Sequence, residues 1–220
     1  MDNDRLKRLK EETSKVVGRW VDTPYYEAVE RRAHAQWNEL ILPFLDGHAI
    51  DFSHVLELAV GHGRMTPLLL ERAERVIAVD VLQENIDFCA NRFPDEPRLE
   101  LLRNDGVTLA GVAENSITFG FCFDAMIHFD SDVVRNYLAE FRRILVPGGR
   151  AFLHHSNLTR NPGGDFQKNA HARNFMSEAL FRHYAAKEGL HVLKSQVIDW
   201  GKGEKHVPGL DCLSLVGKLA

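Results

Sequence analysis

The stretch VLELAVGHGR, residues 55–64, decides the fold of this sequence. Its apolar first half predicts a buried strand, and Gly61 and Gly63 predict a tight turn directly after it. A helix start near Thr66, which a proline follows, completes the pattern. A strand that passes through glycines into a helix N-terminus lets backbone amides approach a bound cofactor closely. The stretch therefore predicts a cofactor-binding turn of the kind that dinucleotide and nucleoside sites share.

Apolar runs and helical patterns alternate from this stretch to the C-terminus. Strands are predicted at 54–60, 75–81, 98–103, 117–123 and 150–155. Their nearly continuous hydrophobicity is typical of parallel strands that are covered on both faces. Two further strands, at about 191–200 and 210–218, have no helix between them and should pair antiparallel. The predicted fold is α/β: a Rossmann-like, doubly wound sheet of about seven strands, mostly parallel, with N-terminal helices.

Capping residues set the expected helix boundaries. Ser131 is the predicted N-cap of a helix that stops at Pro147-Gly148-Gly149. Ser177 is the predicted N-cap of a later helix, and Thr23 before a proline predicts a helix start near the N-terminus.

Two structural regions follow from these elements. We expect a helical extension over residues 1–46 that covers the cofactor site, and a main domain over residues 47–220. The polar stretch 157–176 follows a strand end, which makes it the candidate substrate loop.

Acidic residues follow three of the predicted parallel strands. Asp80 ends the second strand, Asp105 the third and Asp124 the fourth. We expect them at one crevice, because the carboxyl ends of parallel strands meet at the same edge of a sheet. Asp80 is placed to accept both hydroxyls of a ribose, and Asp105 to accept from an adenine amino group. A nicotinamide site would have glycine or alanine in place of Thr66, so this class is disfavoured.

Together these segments resemble the class I S-adenosylmethionine-dependent methyltransferases over roughly residues 25–219. ELAVGHG is similar to the family's first motif, VDV to its acidic second motif, RNDG to its adenine-binding segment and RRILVPGGRAF to the element that follows. The resemblance implies S-adenosylmethionine as cofactor, with Gly61 and Gly63 beside its methionine portion, Asp80 on the ribose and Asp105 on adenine. Ala59 departs from the pattern, since the family commonly has glycine there.

The candidate cofactor-binding residues follow from this resemblance and from the strand ends. The N-terminal helix resembles the extension that covers the cofactor in many members, and contributes Tyr26 and Trp37; a place in the core is the alternative for Trp37. The other candidates are Glu57, Ala59, Gly61, Gly63, Arg64, Thr66, Asp80, Val81, Asn104, Asp105, Gly106, Phe123 and Asp124.

Candidate catalytic residues come from the 11 histidines of the chain. Methyl transfer is an in-line displacement, and a hydroxyl acceptor must also lose a proton, a task that suits histidine. His128 follows the fourth strand, and His154 and His155 end the fifth. Adjacent residues of a strand face opposite sides, so at most one of the pair is expected in the site, and His155 is favoured. His128 and His155 are the candidate bases, with a buried structural role as the alternative for each.

The predicted function is methyl transfer to a small molecule, such as a hydroxyl of a sugar, glycan or secondary metabolite. N-methylation of a small molecule and a catalytically silent cofactor-binding subunit remain alternatives, and an NAD-dependent oxidoreductase is a remote one. The Asn-Pro-Pro-aromatic motif of amino-directed nucleic-acid and glutamine methyltransferases is absent from CFDAMIHF, residues 122–129. A divalent ion held by residues among Asp124, His128, Asp130, His155 and His171 is an alternative, but the sequence has no tight metal-ligand spacing, so no metal site is predicted.

Composition sets the remaining expectations. Lys and Arg number 27 against 31 Asp and Glu, and a net charge of −4 gives no global attraction to nucleic acid or to an anionic membrane. No apolar run approaches the roughly 18 residues needed to span a bilayer. The three dispersed cysteines are typical of buried thiols in a reducing compartment. We expect a cytoplasmic protein without nucleic-acid or membrane partners, and leave a homodimer open.

Overall fold

The structure, a computed structural model, describes residues 3–20, 23–163 and 165–219. Residues 1, 2, 21 and 22 of the expected N-terminal extension and Gly164 of the candidate substrate loop lie outside the described residues. The strands are β1 His54–Leu58, β2 Arg75–Asp80, β3 Leu99–Arg103, β4 Ile117–Cys122, β5 Leu145–Ser156, β6 His191–Trp200 and β7 Val207–Gly217.

These strands form one sheet in the order β3-β2-β1-β4-β5-β7-β6. Strands β1 to β5 pair in parallel, whereas β7 runs antiparallel to both of its neighbours, β5 and β6. The predicted Rossmann-like sheet with an antiparallel C-terminal pair is confirmed. Strand order reverses between β1 and β4, the point where a doubly wound sheet opens a crevice at the carboxyl ends of its strands.

Helices cover both faces of the sheet. They are α1 Asn3–Ser14, α2 Tyr25–Glu30, α3 Ala33–Gln36, α4 Leu42–Leu45, α5 Thr66–Leu70, α6 Gln83–Arg92, α7 Ser131–Ile144 and α8 Glu178–Lys187. A π-helical turn, Trp37–Ile41, joins α3 to α4. Leu9, Tyr137 and Phe181 bring α1, α7 and α8 into the core on one face, and Trp37 and Leu69 belong to the core on the other. Burial on both faces explains why β1, β2 and β4 are nearly continuous in hydrophobicity.

Two predicted strands end too late because of backbone conformation. Strand β1 ends at Leu58 and not at residue 60, since Ala59 has φ +60°, a left-handed conformation that does not continue a strand. Strand β4 ends at Cys122 rather than at residue 123, shortly before Asp124 at φ +61°. Both departures lie next to the crevice.

Two predicted helix boundaries were also wrong, while Ser177 is confirmed as the N-cap of α8. The N-cap of α7 is Asp130, not Ser131, because the Asp130 carboxylate accepts from the backbone N–H of Asp132 at 2.8 Å. Thr23 does not cap α2, whose N-cap is Pro24.

The expected stop at Pro147-Gly148-Gly149 lies inside β5. This strand begins at Leu145, directly where α7 ends, because Leu145 already pairs with Ile117 of β4. Strand β5 is therefore longer at its start than the predicted 150–155, and reaches Ser156 at its end.

Candidate active site

A cavity opens at the carboxyl ends of β1, β2, β3 and β4, at the reversal of strand order. It holds about 1050 Å³ of space not filled by atoms, its opening to solvent included. The predicted site residues that line it are Tyr26, Ala59, Gly61, Arg64, Asp80, Val81, Asn104, Gly106, Phe123, Asp124 and His128. Residues that are far apart in sequence are thus brought to one cavity.

The N-terminal region forms part of the cavity wall. The cavity is lined by Thr13, at the end of α1, and by Val17 and Trp20 in the segment that follows this helix. The Thr13 hydroxyl donates to the carbonyl of Gly106 at 3.2 Å, which joins the end of α1 to the loop after β3. The described part of the extension therefore contacts the same strand-end loops that form the predicted cofactor site.

The glycine turn after β1 lies under the ring of Tyr26. Gly61 has φ +56°, and a Cβ atom there would come within 2.8 Å of Cε1 of Tyr26. Glycine is thus required both for the backbone conformation and for the close approach of the ring. The ring of His62 stacks on that of Tyr26, with the two ring centroids 3.7 Å apart.

Asp80 connects the glycine turn to the end of β2. One carboxylate oxygen accepts from the backbone N–H of Gly61 at 2.9 Å, and the other from that of Leu82 at 3.0 Å. Burial raises the pKa of Asp80, although these hydrogen bonds oppose the shift. Each oxygen has a further lone pair, so the carboxylate can also accept from ligand hydroxyls.

Asp105 lies in a different setting. Its Oδ1 accepts from the backbone N–H groups of Val107 and Thr108, at 3.1 and 2.7 Å, and its Oδ2 pairs with Lys10 at 3.0 Å. It does not line the cavity, although its neighbours Asn104 and Gly106 do. The carboxylate that the resemblance assigned to adenine is engaged by its own loop and by α1.

Four further predicted cofactor residues support the cavity from behind. Glu57 is buried and accepts from the Thr66 hydroxyl at 2.7 Å, and burial raises its pKa to about 7. Trp37 is 1% exposed and packs against Phe121, and none of the described residues provides a hydrogen-bond partner for its Nε1. Gly63 faces Phe93 and Cys89 rather than the cavity.

The two candidate bases lie in different places. His128 is 5% exposed and lines the cavity, with its ring 4.4 Å from that of Trp20. Its Nδ1 lies 2.8 Å from the carbonyl oxygen of Ala172. A carbonyl can only accept, so Nδ1 carries the proton. Burial and, secondarily, the charge of Arg173 lower the pKa of His128 to about 4.

His155 lies on the other side of β5, away from the cavity. Its ring stacks on Phe181 at 3.9 Å, and its nitrogens bond the carbonyl of Ser156 and the hydroxyl of Ser214, both at 2.9 Å. Burial lowers its pKa to about 3. His154, the residue not favoured, accepts at Nδ1 from the backbone N–H of Asp124 at 3.2 Å.

The Asp124 carboxylate connects three parts of the chain at the cavity: helix α2, the glycine turn and the end of β4. Its Oδ2 accepts from the Tyr25 hydroxyl at 3.0 Å and from Nη2 of Arg64 at 2.7 Å. Arg64 also donates to Gln36 at 2.9 Å. Burial and the nearby Asp124 raise the pKa of Tyr25. This network joins the N-terminal helices to the glycine turn and the end of β4.

Several residues at or next to the site escaped the sequence analysis. They include Trp20, Asn85, Arg173 and Asp211. Asp211 gave the clearest available signal, because it is a lone carboxylate in the apolar stretch GLDCLSLVG, residues 209–217. Asn85 and Arg173 gave none, since their positions follow polar helix or loop patterns.

The strand order, the glycine turn and the Asp80 carboxylate together form a crevice at the carboxyl ends of a Rossmann-like sheet. Residues 55–149 match the family model described as a methyltransferase domain. The match assigns residues 55–149 to a methyltransferase domain, so the protein is an enzyme, and the sheet around this segment has the Rossmann-like strand order described above.

Solved structures agree on the fold. A chain from a complex that contains the Haloferax volcanii Trm112 methyltransferase activator has a TM-score of 0.68 at 17% identity, covering 91% of this chain and 96% of its own. PH0226 protein from Pyrococcus horikoshii OT3 gives 0.67 at 16%, covering 90% and 97%. An S-adenosylmethionine-dependent methyltransferase from Clostridium acetobutylicum gives 0.66 at 16%, covering 89% and 98%. A comparison with curated proteins found no match.

The residues present fit S-adenosylmethionine. Asp80 offers a buried acceptor for ribose hydroxyls, and the glycine turn leaves backbone within reach of a ligand. Val81, Asn104 and Gly106 line the cavity next to it, where the resemblance expects adenine.

Among the described residues there is no group of three metal-ligating side chains that could hold an ion. None of the described helices is long and apolar enough to cross a membrane.

Proposed function

We propose that this protein methylates a hydroxyl oxygen of a small molecule, a sugar, glycan or secondary metabolite, and that His128 takes up the proton. One observation carries the proposal: a neutral imidazole forms part of the cavity wall with its acceptor nitrogen uncommitted. The Nδ1–H of His128 donates to Ala172, so the lone pair is on Nε2. No hydrogen bond from a described residue reaches Nε2.

The proposed chemistry uses both ring nitrogens of His128. S-adenosylmethionine, when bound, supplies an electrophilic methyl group. Nε2 accepts the hydroxyl proton as the acceptor oxygen forms its new bond, and the carbonyl of Ala172 stabilises the imidazolium through Nδ1–H. A pKa of about 4 is adequate, because the hydroxyl proton becomes strongly acidic while its oxygen is being alkylated.

The other cavity residues hold and enclose the reactants in this proposal. Asp80 and the glycine turn bind the cofactor, and the extension over residues 1–46 covers it. The Tyr25 hydroxyl and Arg64 keep the Asp124 carboxylate in place at the end of β4. Trp20 packs on His128 and helps to exclude water from its ring.

The test compares variants on a panel of hydroxyl and amine acceptors, with release of S-adenosylhomocysteine as the readout. We expect hydroxyl acceptors to be methylated, and His128→Gln to lower kcat by about 100-fold or more. Affinity for S-adenosylhomocysteine should stay within about threefold, since the proposal gives His128 no part in cofactor binding. His155→Gln should retain most activity once its folding is verified, and His183→Gln, an exposed position on α8, is the control.

Three results would count against the proposal. Turnover restricted to amines would show that the enzyme methylates nitrogen and not oxygen. Nearly full activity in folded His128→Gln would remove the base. Tight cofactor binding without turnover on any acceptor would favour a catalytically silent subunit.

A further inference from the structure

A carboxylate in the middle of β7, Asp211, is the common anchor of two groups at the cavity. Asp211 is 0% exposed. Arg173 donates to both of its oxygens, Nε to Oδ1 at 2.9 Å and Nη2 to Oδ2 at 2.7 Å, and His154 lies 3.2 Å from Oδ2. Burial alone would raise the pKa of Asp211, but hydrogen bonds from His154 and Arg173 lower it to about 2. The carboxylate is therefore ionised and fully paired.

The first branch from this anchor leads to His128. The third donor of Arg173, Nη1, reaches the carbonyl of His171 at 3.0 Å. His171 and Ala172 are both left-handed, at φ +50° and +53°, which L-residues rarely adopt in succession. In this conformation the carbonyl of Ala172 points at Nδ1 of His128, 2.8 Å away. Arg173 thus stabilises a strained turn, and this turn places the carbonyl of Ala172 where it selects the Nδ1–H tautomer of His128.

The second branch leads to Asp124. Asp211 can only accept, so Nε2 of His154 carries the proton and its Nδ1 is an acceptor. That acceptor binds the backbone N–H of Asp124, which is left-handed at φ +61°. The Asp124 carboxylate then faces Tyr25 and Arg64. A reversed tautomer of His154 would set one N–H against another.

This arrangement is costly, which indicates that it serves more than folding. Replacing a buried ion pair by well-packed apolar side chains is often neutral or stabilising. Three left-handed non-glycine residues, namely His171, Ala172 and Asp124, add backbone strain. His171 and Ala172 lie between Asp211 and His128, Asp124 itself lines the cavity, and strain of this kind clusters at functional sites.

We propose that Asp211 is a positioning residue, which through Arg173 and His154 fixes the His128 imidazole and the Asp124 turn at the acceptor side of the cavity. It touches neither ligand directly. The role of His128 as base rests on the proposed function, but its orientation by Asp211 does not.

The test measures tautomers by nitrogen NMR on protein labelled at histidine, without any acceptor. His128→Gln and His154→Gln assign the two ring signals. In the parent we expect His128 as the Nδ1–H form and His154 as the Nε2–H form. Asp211→Asn keeps one acceptor oxygen and adds an amide donor. With the oxygen facing Arg173, the amide N–H faces Nε2 of His154, so the His154 tautomer should invert. The tautomer ratio of His128 should shift by roughly fivefold, the size expected for one ordinary hydrogen bond.

The matched control is Asp199→Asn, which removes the charge of the exposed carboxylate that contacts His206 at 3.1 Å in the turn region of the same hairpin. It should leave both ring signals unchanged. If Asp211→Asn does not fold, the variant Arg173→Met with Asp211→Leu removes the buried pair together. Unchanged tautomers of His128 and His154 in whichever variant folds would overturn the proposal, and mixed tautomers would support it.

Turnover separates this proposal from the previous one. A tautomer shift with full activity in folded His128→Gln would keep Asp211 as the anchor while removing His128 as base. Unchanged tautomers with inactive His128→Gln would do the reverse.

Discussion

The cavity has two halves that are built in different ways. In the cofactor half, formed by the ends of β1, β2 and β3, the key contact joins the Gly61 amide to Asp80 across 19 residues. In the half that we propose as the acceptor half, at the end of β4, His128 bonds Ala172 across 44 residues, and His154 behind it meets Asp211 across 57. One half is thus encoded in consecutive motifs, and the other exists only after the sheet has assembled.

The two halves of the cavity also differ in the chemical groups from which they are built. The cofactor half is built from backbone amides and from one carboxylate at a strand end, which short sequence motifs encode. The acceptor half presents side chains whose protonation depends on distant partners. Changes in the first half should therefore act on binding, and changes in the second on protonation and geometry.

The largest effect is expected in the cofactor half. Asp80→Ala should weaken S-adenosylhomocysteine binding by roughly 10³-fold, because two charge-assisted hydrogen bonds to the ribose are lost. Asp105→Ala should weaken it by less than about fivefold, because that carboxylate bonds its own loop and Lys10. Isothermal calorimetry on both variants measures the contrast. Similar losses in the two would show that Asp105 reaches the cofactor after all.

Glu57 behind the glycine turn gives a pH-dependent effect on stability. Its pKa is raised to about 7 from 4.5, so its contribution to stability is complete below pH 4.5 and is lost as the pH rises through 7. Glu57→Gln should therefore unfold less readily than the parent at pH 9, by about 3 kcal/mol, and show little difference at pH 4. Urea titrations at both values measure this.

Its matched control is Glu114→Gln, at an exposed position. This variant should follow the parent at each pH. A pH-independent gain in Glu57→Gln would mean that burial of this carboxyl is not the cause.

The smallest effect concerns Ala59, whose left-handed backbone starts the glycine turn. Ala59→Gly relieves about 1–2 kcal/mol of strain, but it also raises the entropy of the unfolded chain and removes a methyl group. We expect a net gain near 0.5 kcal/mol, seen as a rise of about 1–2 °C in Tm. Ala125→Gly is the control, since this other cavity alanine has φ −126° and should only lose stability. Equal losses in both would deny strain at Ala59.

The sequence predicts the sheet, its antiparallel end and the cofactor half, because those depend on local periodicity and on the residues at strand ends. Asp80 illustrates this, as it directly ends a strand and meets the turn of the preceding one. The sequence does not distinguish His128 from His155, because His128 follows an apolar strand and His155 ends one. The face of β5 on which each adjacent histidine falls depends on where the strand begins, and that start was misplaced by the Pro-Gly-Gly segment.

Asp105 and Trp37 illustrate a second limit. Each has a side chain that could contact a cofactor and lies near the cavity. The Asp105 carboxylate, however, accepts hydrogen bonds from its own loop, and the Trp37 indole is buried in the core. Such competition among neighbours is decided by packing, which no motif records.

The contact between Trp20 and His128 provides an optical consequence. Of the three tryptophans, Trp37 is sealed in the core and Trp200 lies over Arg173, whereas Trp20 lines the cavity. With Trp37 and Trp200 replaced by phenylalanine, the emission of the remaining indole would report on occupancy of the cavity and on protonation of the adjacent imidazole. The enzyme thus carries a built-in fluorophore for following ligand entry in stopped-flow experiments, before any acceptor is known.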